Sequence, residues 1–229
     1  DMARLGKGLA ETGRLDRTAM RSAIEAIAKM KAIAEGFRAE IRAVATSAVR
    51  DARNGRAFRR AVRKRLGIRM EIISGREEGM LAFRSASRHF NLEGLDSAVV
   101  DIGGGSLEIV LSKGTLADEV HSLPLGTVRL SEELVRSDPL GARHWKALRK
   151  EVDKTLRRAM GKPPFRISQI IGSGGTFTAL AEIAKANTVG KMLKSNEKFA
   201  DALKAKPMGG GADLGAGCHG DDLVALVIE

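Results

Sequence analysis

Residues 98–111 read AVVDIGGGSLEIVL: an apolar run ending at Asp101, three consecutive glycines at 103–105, Ser106, and a second apolar run holding Glu108. The pattern predicts strand, turn, strand. A turn stripped of side chains lets a large charged guest approach the backbone, and the amides of Gly103, Gly104, Gly105 and Ser106 can form a concavity for phosphate oxygens. Asp101 at the strand end suits Mg²⁺, directly or through water, because Mg²⁺ takes few carboxylates and completes its shell from phosphates and water. Glu108, seven residues on, suits support of that metal or orientation of a water. A plain hairpin with glycine supplying positive φ is the alternative. The turn leads into a strand and no G-x-x-x-x-G-K-[ST] follows, so a P-loop and a dinucleotide fingerprint are both excluded by context.

A second glycine turn, IGSGGTFTAL (171–180), runs from strand into helix. Gly172, Ser173, Gly174, Gly175 and Thr176 together offer amides, a hydroxyl and a helix N-terminus to an anion; an ordinary tight connection is the rival account. SGREEGML (74–81) puts Glu77 and Glu78 in the first turn of a helix. Acids there usually serve the helix dipole, but one facing a reaction centre suits a general base. ATSAVRDARNG (45–55) carries Arg50 and Arg53, and an Arg fork matches paired phosphate oxygens. SLPLGTVRL (122–130) makes a Pro124–Gly126 corner with Arg129, structural or ligand-binding. Cys218-His219 reads as tail, and His89, His121 and His144 lack metal spacing.

Outward from these motifs, strands alternate with helices. A helix begins at the N-cap Asp16 and stops at Gly36; IRAVAT (41–46) and RMEII (69–73) read as short strands around helical, very basic sequence. A helix follows from Ser74-Gly75, then turn residues at 91–97. After the hairpin come a third strand run to 126, helices near 127–136 and 139–160, and the strand, turn and helix of the second glycine motif. The class is α/β with mixed sheets. We place two domains, 1–95 and 96–229, with a mobile Gly/Lys-rich segment near 185–220 and a short helix or strand at the end.

Of the 229 residues, 43% are hydrophobic, enough for a sizeable core. One cysteine permits no internal disulfide, and no apolar run approaches bilayer length, so a soluble, cytoplasmic protein without a membrane partner is expected. A net charge of +11 favours polyanions. Aromatics at 3% and no tyrosine leave few stacking platforms, which argues against specific nucleic-acid binding. The opening DMARLGKGLAETGRL enters mid-pattern and is read as the start of a fragment.

In order, RLGKGLAETGRL, AVATSAVRDARNG, EIISGREEGML, VVDIGGGSLEIV, SLPLGTVRL and IIGSGGTFTALAEI strongly resemble the exopolyphosphatase/guanosine pentaphosphate phosphohydrolase (Ppx/GppA) family, colinearly from residue 3 to 184. The resemblance implies an actin-like ATPase (ribonuclease H-like) fold, two α/β domains with mixed sheets flanking a phosphate-binding cleft. It also implies Mg²⁺-dependent hydrolysis of a terminal phosphoanhydride of inorganic polyphosphate or guanosine pentaphosphate. By position, Glu78 matches the acid that orients or activates water, Asp101 and Glu108 the metal- and water-handling acids, and Arg50 a phosphate contact. Gly103 to Ser106 and Gly172 to Thr176 match the two phosphate loops.

Three departures stand out. Leu107 replaces the family's usual Thr in the hairpin. The family's opening strand with its D-x-G-(S/T)-N-S loop, and the C-terminal domain of its longer members, have no counterpart in this sequence. DLGAGCHGDDLVALVIE (213–229) has a faint D-x-G likeness that would need a permuted chain; the colinear match of HGDDLVALVIE to the helix-bearing segment after the glycine loop is preferred. The expected function is therefore an exopolyphosphatase, with a pentaphosphate phosphohydrolase or a non-catalytic polyphosphate- or nucleotide-binding module as alternatives, and a homodimer as an option.

Overall fold

The computed structural model describes residues 3–135, 137–185 and the backbone of 223–227. The chain forms two compact units, each assembled from separated stretches. The first holds Asp1–Gly75, Gly104–Ser106 and Pro124–Asp153; the second holds Arg76–Gly103, Leu107–Leu123 and Lys154–Glu229. The sequence suggested one boundary at 95/96; the units instead interleave, because the tip of one hairpin and the segment after it group with the N-terminal residues.

In the first unit a short α1 (Leu9–Thr12) precedes the long α2 (Arg17–Gly36). Asp16 caps α2 as expected: its Oδ1 accepts from the Thr18 and Ala19 amides at 2.8 and 2.9 Å. Those bonds, Ala19 first, hold the Asp16 carboxyl below its ordinary pKa. β1 (Ala43–Ala45) and β2 (Met70–Ile72) pair in parallel, connected through α3 (Ser47–Asp51) and α4 (Gly55–Leu66). The sequence suggested helical structure between these two strands, and it breaks at Ala52–Asn54 into two helices. There the Asn54 amide clamps Leu15, donating to its carbonyl at 2.9 Å and accepting from its N–H at 2.8 Å. Gly55 then passes so close to the Val49 carbonyl that no β-carbon fits. Leu15, Ala23, Ile24, Val49, Phe58, Val62 and Met70 form the core, with Phe58 and Val62 wholly buried. The unit also contains α6 (Thr127–Leu134) and the start of α7 (Ala142–Met160).

The second unit is built on a five-stranded mixed sheet in the order β5-β4-β3-β6-β7. β3 (Asp96–Ile102), β4 (Leu107–Lys113) and β5 (Leu116–Leu123) form an antiparallel meander; β6 (Gln169–Ser173) adds parallel to β3 and β7 (Leu223–Val227) antiparallel to β6. β3 starts at Asp96, so the turn expected over 91–97 ends at Leu95. The terminal segment expected to match a helix-bearing stretch is a strand at 223–227, where five register pairs with β6 satisfy the side of its backbone that faces the sheet. Beyond Lys185 the Gly/Lys-rich stretch, with Cys218-His219, lies outside the described residues.

Alternation along the strands decides what covers each face. Val99, Val110 and Ile171 point one way and pack with Phe83 and Ala86 of α5 (Gly75–His89), with Val120 alongside. On the other side, Phe177 of α8 (Gly175–Lys185) lies over Gly172, where a β-carbon would fall 2.1 Å from the ring. That glycine is therefore explained by packing, whatever its neighbours do.

Candidate functional site

Within the second unit, four polar side chains line up across the sheet. Asp101 on β3 pairs directly with Glu108 on β4 and with Ser173 on β6; Glu108 pairs in turn with Ser122 on β5. Directly paired residues point to the same face with β-carbons about 5 Å apart, so Ser122, Glu108, Asp101 and Ser173 form one polar rung. It lies two residues beyond the apolar row Val120, Val110, Val99, Ile171 on the same face. β3, β5 and β6 all run toward this edge and end within two residues of it. The carboxyl ends of strands in an open α/β sheet are where ligands bind.

Bonds within the rung fix its acids. Ser122 Oγ donates to Glu108 Oε1 at 2.7 Å, and Glu108 is only 2% exposed. The Ser173 hydroxyl hydrogen-bonds to Asp101. The first turn of α5 reaches the same place: a β-carbon on Gly79 would stand 3.5 Å from Glu108 Cβ, so Glu78 enters beside the rung. Burial pushes the Asp101 carboxyl above its ordinary pKa, the nearby Glu78 charge adds to this, and the Ser173 bond opposes it. Gly174, at φ +91°, brings the next turn against Asp101; a β-carbon there would lie 2.9 Å from its Oδ1. The amides of Gly175 and Thr176 follow at the start of α8.

This donor set suits a cation with few protein ligands. Among the described residues no group of three or more His, Cys, Asp or Glu side chains forms a metal cage. Two carboxylates near a third, with one held above its usual pKa by burial and like charge, leave local negative charge that a cation would offset. Mg²⁺, which completes its shell from water and phosphate, fits.

In the first unit, Arg50, Gly104, Gly105 and Ser106 occupy different surroundings. Arg50 donates through Nη1 to the Ile73 carbonyl at 3.0 Å and lies 3.7 Å from Asp51 Oδ1. The hairpin tip is tightly held. Gly104 O accepts from the amides of Val128 and Arg129, which open α6, and Gly105 O accepts from Arg129 Nε at 3.0 Å. Arg129 Nη2 also reaches Asp51 at 2.6 Å. Side chains have no room here: a β-carbon on Gly105 would meet Ser47 Oγ at 2.5 Å, and one on Gly126 would meet the Gly104 carbonyl at 2.4 Å. A cavity of about 1060 Å³ in this unit, lined by Arg4, Lys7, Arg14, Arg17 and Glu132 among others, contains none of the expected site residues.

The Ppx/GppA phosphatase family model matches residues 1–205. The chain belongs to this family. Exopolyphosphatase 2 of Mycobacterium tuberculosis is 34% identical over 194 residues, covering 82% of this chain and 60% of its own length. Guanosine-5'-triphosphate,3'-diphosphate pyrophosphatase of Vibrio vulnificus is 29% identical over 192 residues, covering 83% of this chain and 38% of its own. The crystal structure of an exopolyphosphatase from Cytophaga hutchinsonii aligns with a TM-score of 0.73 at 29% identity, over 79% of this chain and 58% of that one. The chain thus spans less than two thirds of the length of these relatives. As a Ppx/GppA member it has the α/β fold with mixed sheets that its motifs implied.

Of the residues singled out from sequence, the second unit brings together Glu78, Asp101, Glu108, Ser173 and Gly174 and holds Gly103, Gly172, Gly175 and Thr176. Arg50 and Gly104–Ser106 belong to the first unit. Sequence reasoning gave no role to Ser122 or Asp51 and left Arg129 undecided. Ser122 becomes visible only through strand register, one rung beyond Glu108. Among the described residues no helix is long and apolar enough to cross a membrane.

Proposed function

We propose that this chain carries the catalytic centre of an exopolyphosphatase-type hydrolase that releases orthophosphate from the end of inorganic polyphosphate. The rung Ser122–Glu108–Asp101–Ser173, met by the first turn of α5, is the observation that carries this, and the relatives named exopolyphosphatase support the substrate class. Glu78 accepts a hydrogen bond from the attacking water and takes its proton as the water oxygen joins the terminal phosphorus. The bond from that phosphorus to the bridging oxygen breaks, leaving orthophosphate and a chain one phosphate shorter.

Asp101 and Glu108 would hold Mg²⁺, which when bound neutralises charge on the anhydride oxygens. Ser173 and Ser122 keep those two acids in register. The amides of Gly174 to Thr176, at the positive end of α8, donate to phosphate oxygens. Gly103 is assigned a further phosphate contact; Arg50 and the amides of Gly104 to Ser106 belong to the first unit. Phosphoryl transfer of this kind rests on positioning and electrostatics more than on covalent chemistry.

Replacing Glu78 by Gln tests the assignment. Phosphate release should fall by roughly 10²–10⁴-fold, the usual contribution of a positioned base, while polyphosphate binding stays near the parent value. Unchanged turnover would overturn it. The Vibrio relative favours a second substrate, guanosine pentaphosphate; kcat/KM measured side by side on both decides, and a tenfold preference for the nucleotide reverses the order. Tight Mg²⁺-dependent binding without phosphate release would identify a binding module instead.

A further inference from the structure

The chain's positive charge is concentrated. Residues 52–70, ARNGRAFRRAVRKRLGIRM, contain eight Arg or Lys and no Asp or Glu, against a net charge of +11 for all 229 residues. Most of these cations lie on α4. Arg56, Arg59, Arg60, Arg63 and Lys64 fall at i, i+3, i+4, i+7 and i+8, which is one continuous stripe on a helix, and all five are exposed. Phe58 and Val62 project the opposite way into the core and are wholly buried. At 1.5 Å per residue the stripe is about 12 Å long.

Folding alone accounts for only part of this. Arg63, Lys64 and Arg65 stand in the last turn, where cations suit the helix dipole. Arg56, Arg59 and Arg60 sit in the half where the dipole opposes them. The pairs Arg56/Arg60, Arg59/Arg63 and Arg60/Lys64 are like charges at i,i+4 and repel. Among the described residues no salt bridge relieves them, and the acids flanking the segment face elsewhere: Asp51 pairs with Arg129 and Glu71 with Arg42. A polyanion laid along the stripe would remove this repulsion.

We infer that the α4 stripe is a secondary binding surface for the linear polyphosphate chain, holding a stretch of substrate away from the scissile end. The choice of occupant rests on the function proposed above and on what α4 lacks. Its outer face has no aromatic for base stacking, since Phe58 is buried. It presents no large exposed apolar side chain to a lipid surface either, because Phe58 and Val62 are committed to the core. What it offers is a row of charge, matching a chain of anionic phosphates.

The test uses the full chain and a variant carrying Arg56→Gln, Arg59→Gln, Arg60→Gln and Arg63→Gln, with the same four positions changed to Lys as control. Gln and Lys are good helix formers, and circular dichroism verifies folding. Binding of end-labelled long-chain polyphosphate is followed by fluorescence anisotropy across a salt series. Each cation released from contact lowers the slope of log affinity against log salt by about 0.7 for a single-stranded polyanion. The Gln variant should lose a slope of about 2–3 and bind at least roughly tenfold more weakly near 0.1 M salt, while the Lys variant keeps the parent slope. Phosphate release from tripolyphosphate, too short to fill the stripe, should be unchanged.

An unchanged slope in the Gln variant overturns the inference. So does a stripe-dependent preference for duplex DNA over polyphosphate, which would assign the surface to nucleic acid. Because binding is read without turnover, polyphosphate held through α4 by a chain that releases no phosphate supports the stripe and refutes only the catalytic proposal. Tripolyphosphate hydrolysis with an unaffected slope does the reverse.

Discussion

Gly174 stands against Asp101 so closely that a β-carbon at position 174 would lie 2.9 Å from the carboxylate Oδ1, and its φ of +91° is one that side-chain-bearing residues rarely adopt. Gly174→Ala therefore meets two obstacles, backbone strain and displacement of a positioned acid. We expect a stability loss of about 1–3 kcal/mol, read by urea unfolding, together with a fall in phosphate release larger than that of a distant substitution of equal cost. Parent-like turnover would show that the carboxylate tolerates displacement.

The Asp101 carboxyl lies above its ordinary pKa, first through burial and then through Glu78. The folded state thus binds this proton more tightly than the unfolded chain. Stability from this group is fully present below the unfolded value of 3.8 and is lost as pH rises through the higher folded value. Asp101→Asn should raise the melting temperature near neutral pH in the absence of divalent cations, with the advantage shrinking as pH falls toward 4. Added Mg²⁺ should stabilise the parent and not the variant. A variant that melts lower at pH 7 and higher at pH 4 contradicts the assigned direction.

Gly79 separates two competing effects. Alanine gains roughly 0.5–1 kcal/mol of helix propensity, but its β-carbon would stand 3.1 Å from Val120 Cγ1 and 3.4 Å from Val110 Cγ2. These contacts involve branched, half-fixed side chains, so Gly79→Ala should be close to neutral in chemical denaturation. Gly79→Val overfills the same space and should cost about 1–3 kcal/mol, lifting the first turn of α5 and lowering kcat through Glu78. Equal stability of the two variants would mean that α5 shifts freely over the sheet.

Arg129 joins two partners that sequence does not connect, the Gly105 carbonyl and Asp51. Arg129→Ala removes a charge-assisted bond and the hold on the hairpin tip, at an expected cost of about 1.5–3 kcal/mol. Arg129→Lys should recover only part, because one ammonium cannot reproduce a planar fork. Unfolding midpoints of the three proteins, compared at equal m-values, give the ordering.

Local chemistry was legible in the sequence. Asp16 as a cap, the hairpin around three glycines, and the two helices opened by Ser74-Gly75 and by Gly174-Gly175 all follow from short-range pattern. Asp101 and Glu108 stood out from the hairpin pattern, whereas Glu78 was chosen over Glu77 only through the family resemblance. What escaped depends on long-range register. Ser122 is an unremarked serine until β5 aligns it with Glu108. Gly172 belongs to the glycine motif but is required by the Phe177 ring. Asp51 and Arg129, 78 residues apart, meet only once the hairpin tip packs beside α6. The apolar end at 223–227 could be helix or strand until β6 offered it an open edge.

Asp101 sits on β3, whose backbone is bonded on one side to β4 and on the other to β6. A residue held from both sides cannot drift as a loop residue can; moving it means opening the middle of the sheet. Its amide, and that of Glu108 opposite, should be among the last in the chain to exchange with solvent. A frame this stiff has little left to rearrange when a ligand arrives. If the proposed function holds, the work of reaching the reactive geometry then falls on the incoming phosphate chain and its water.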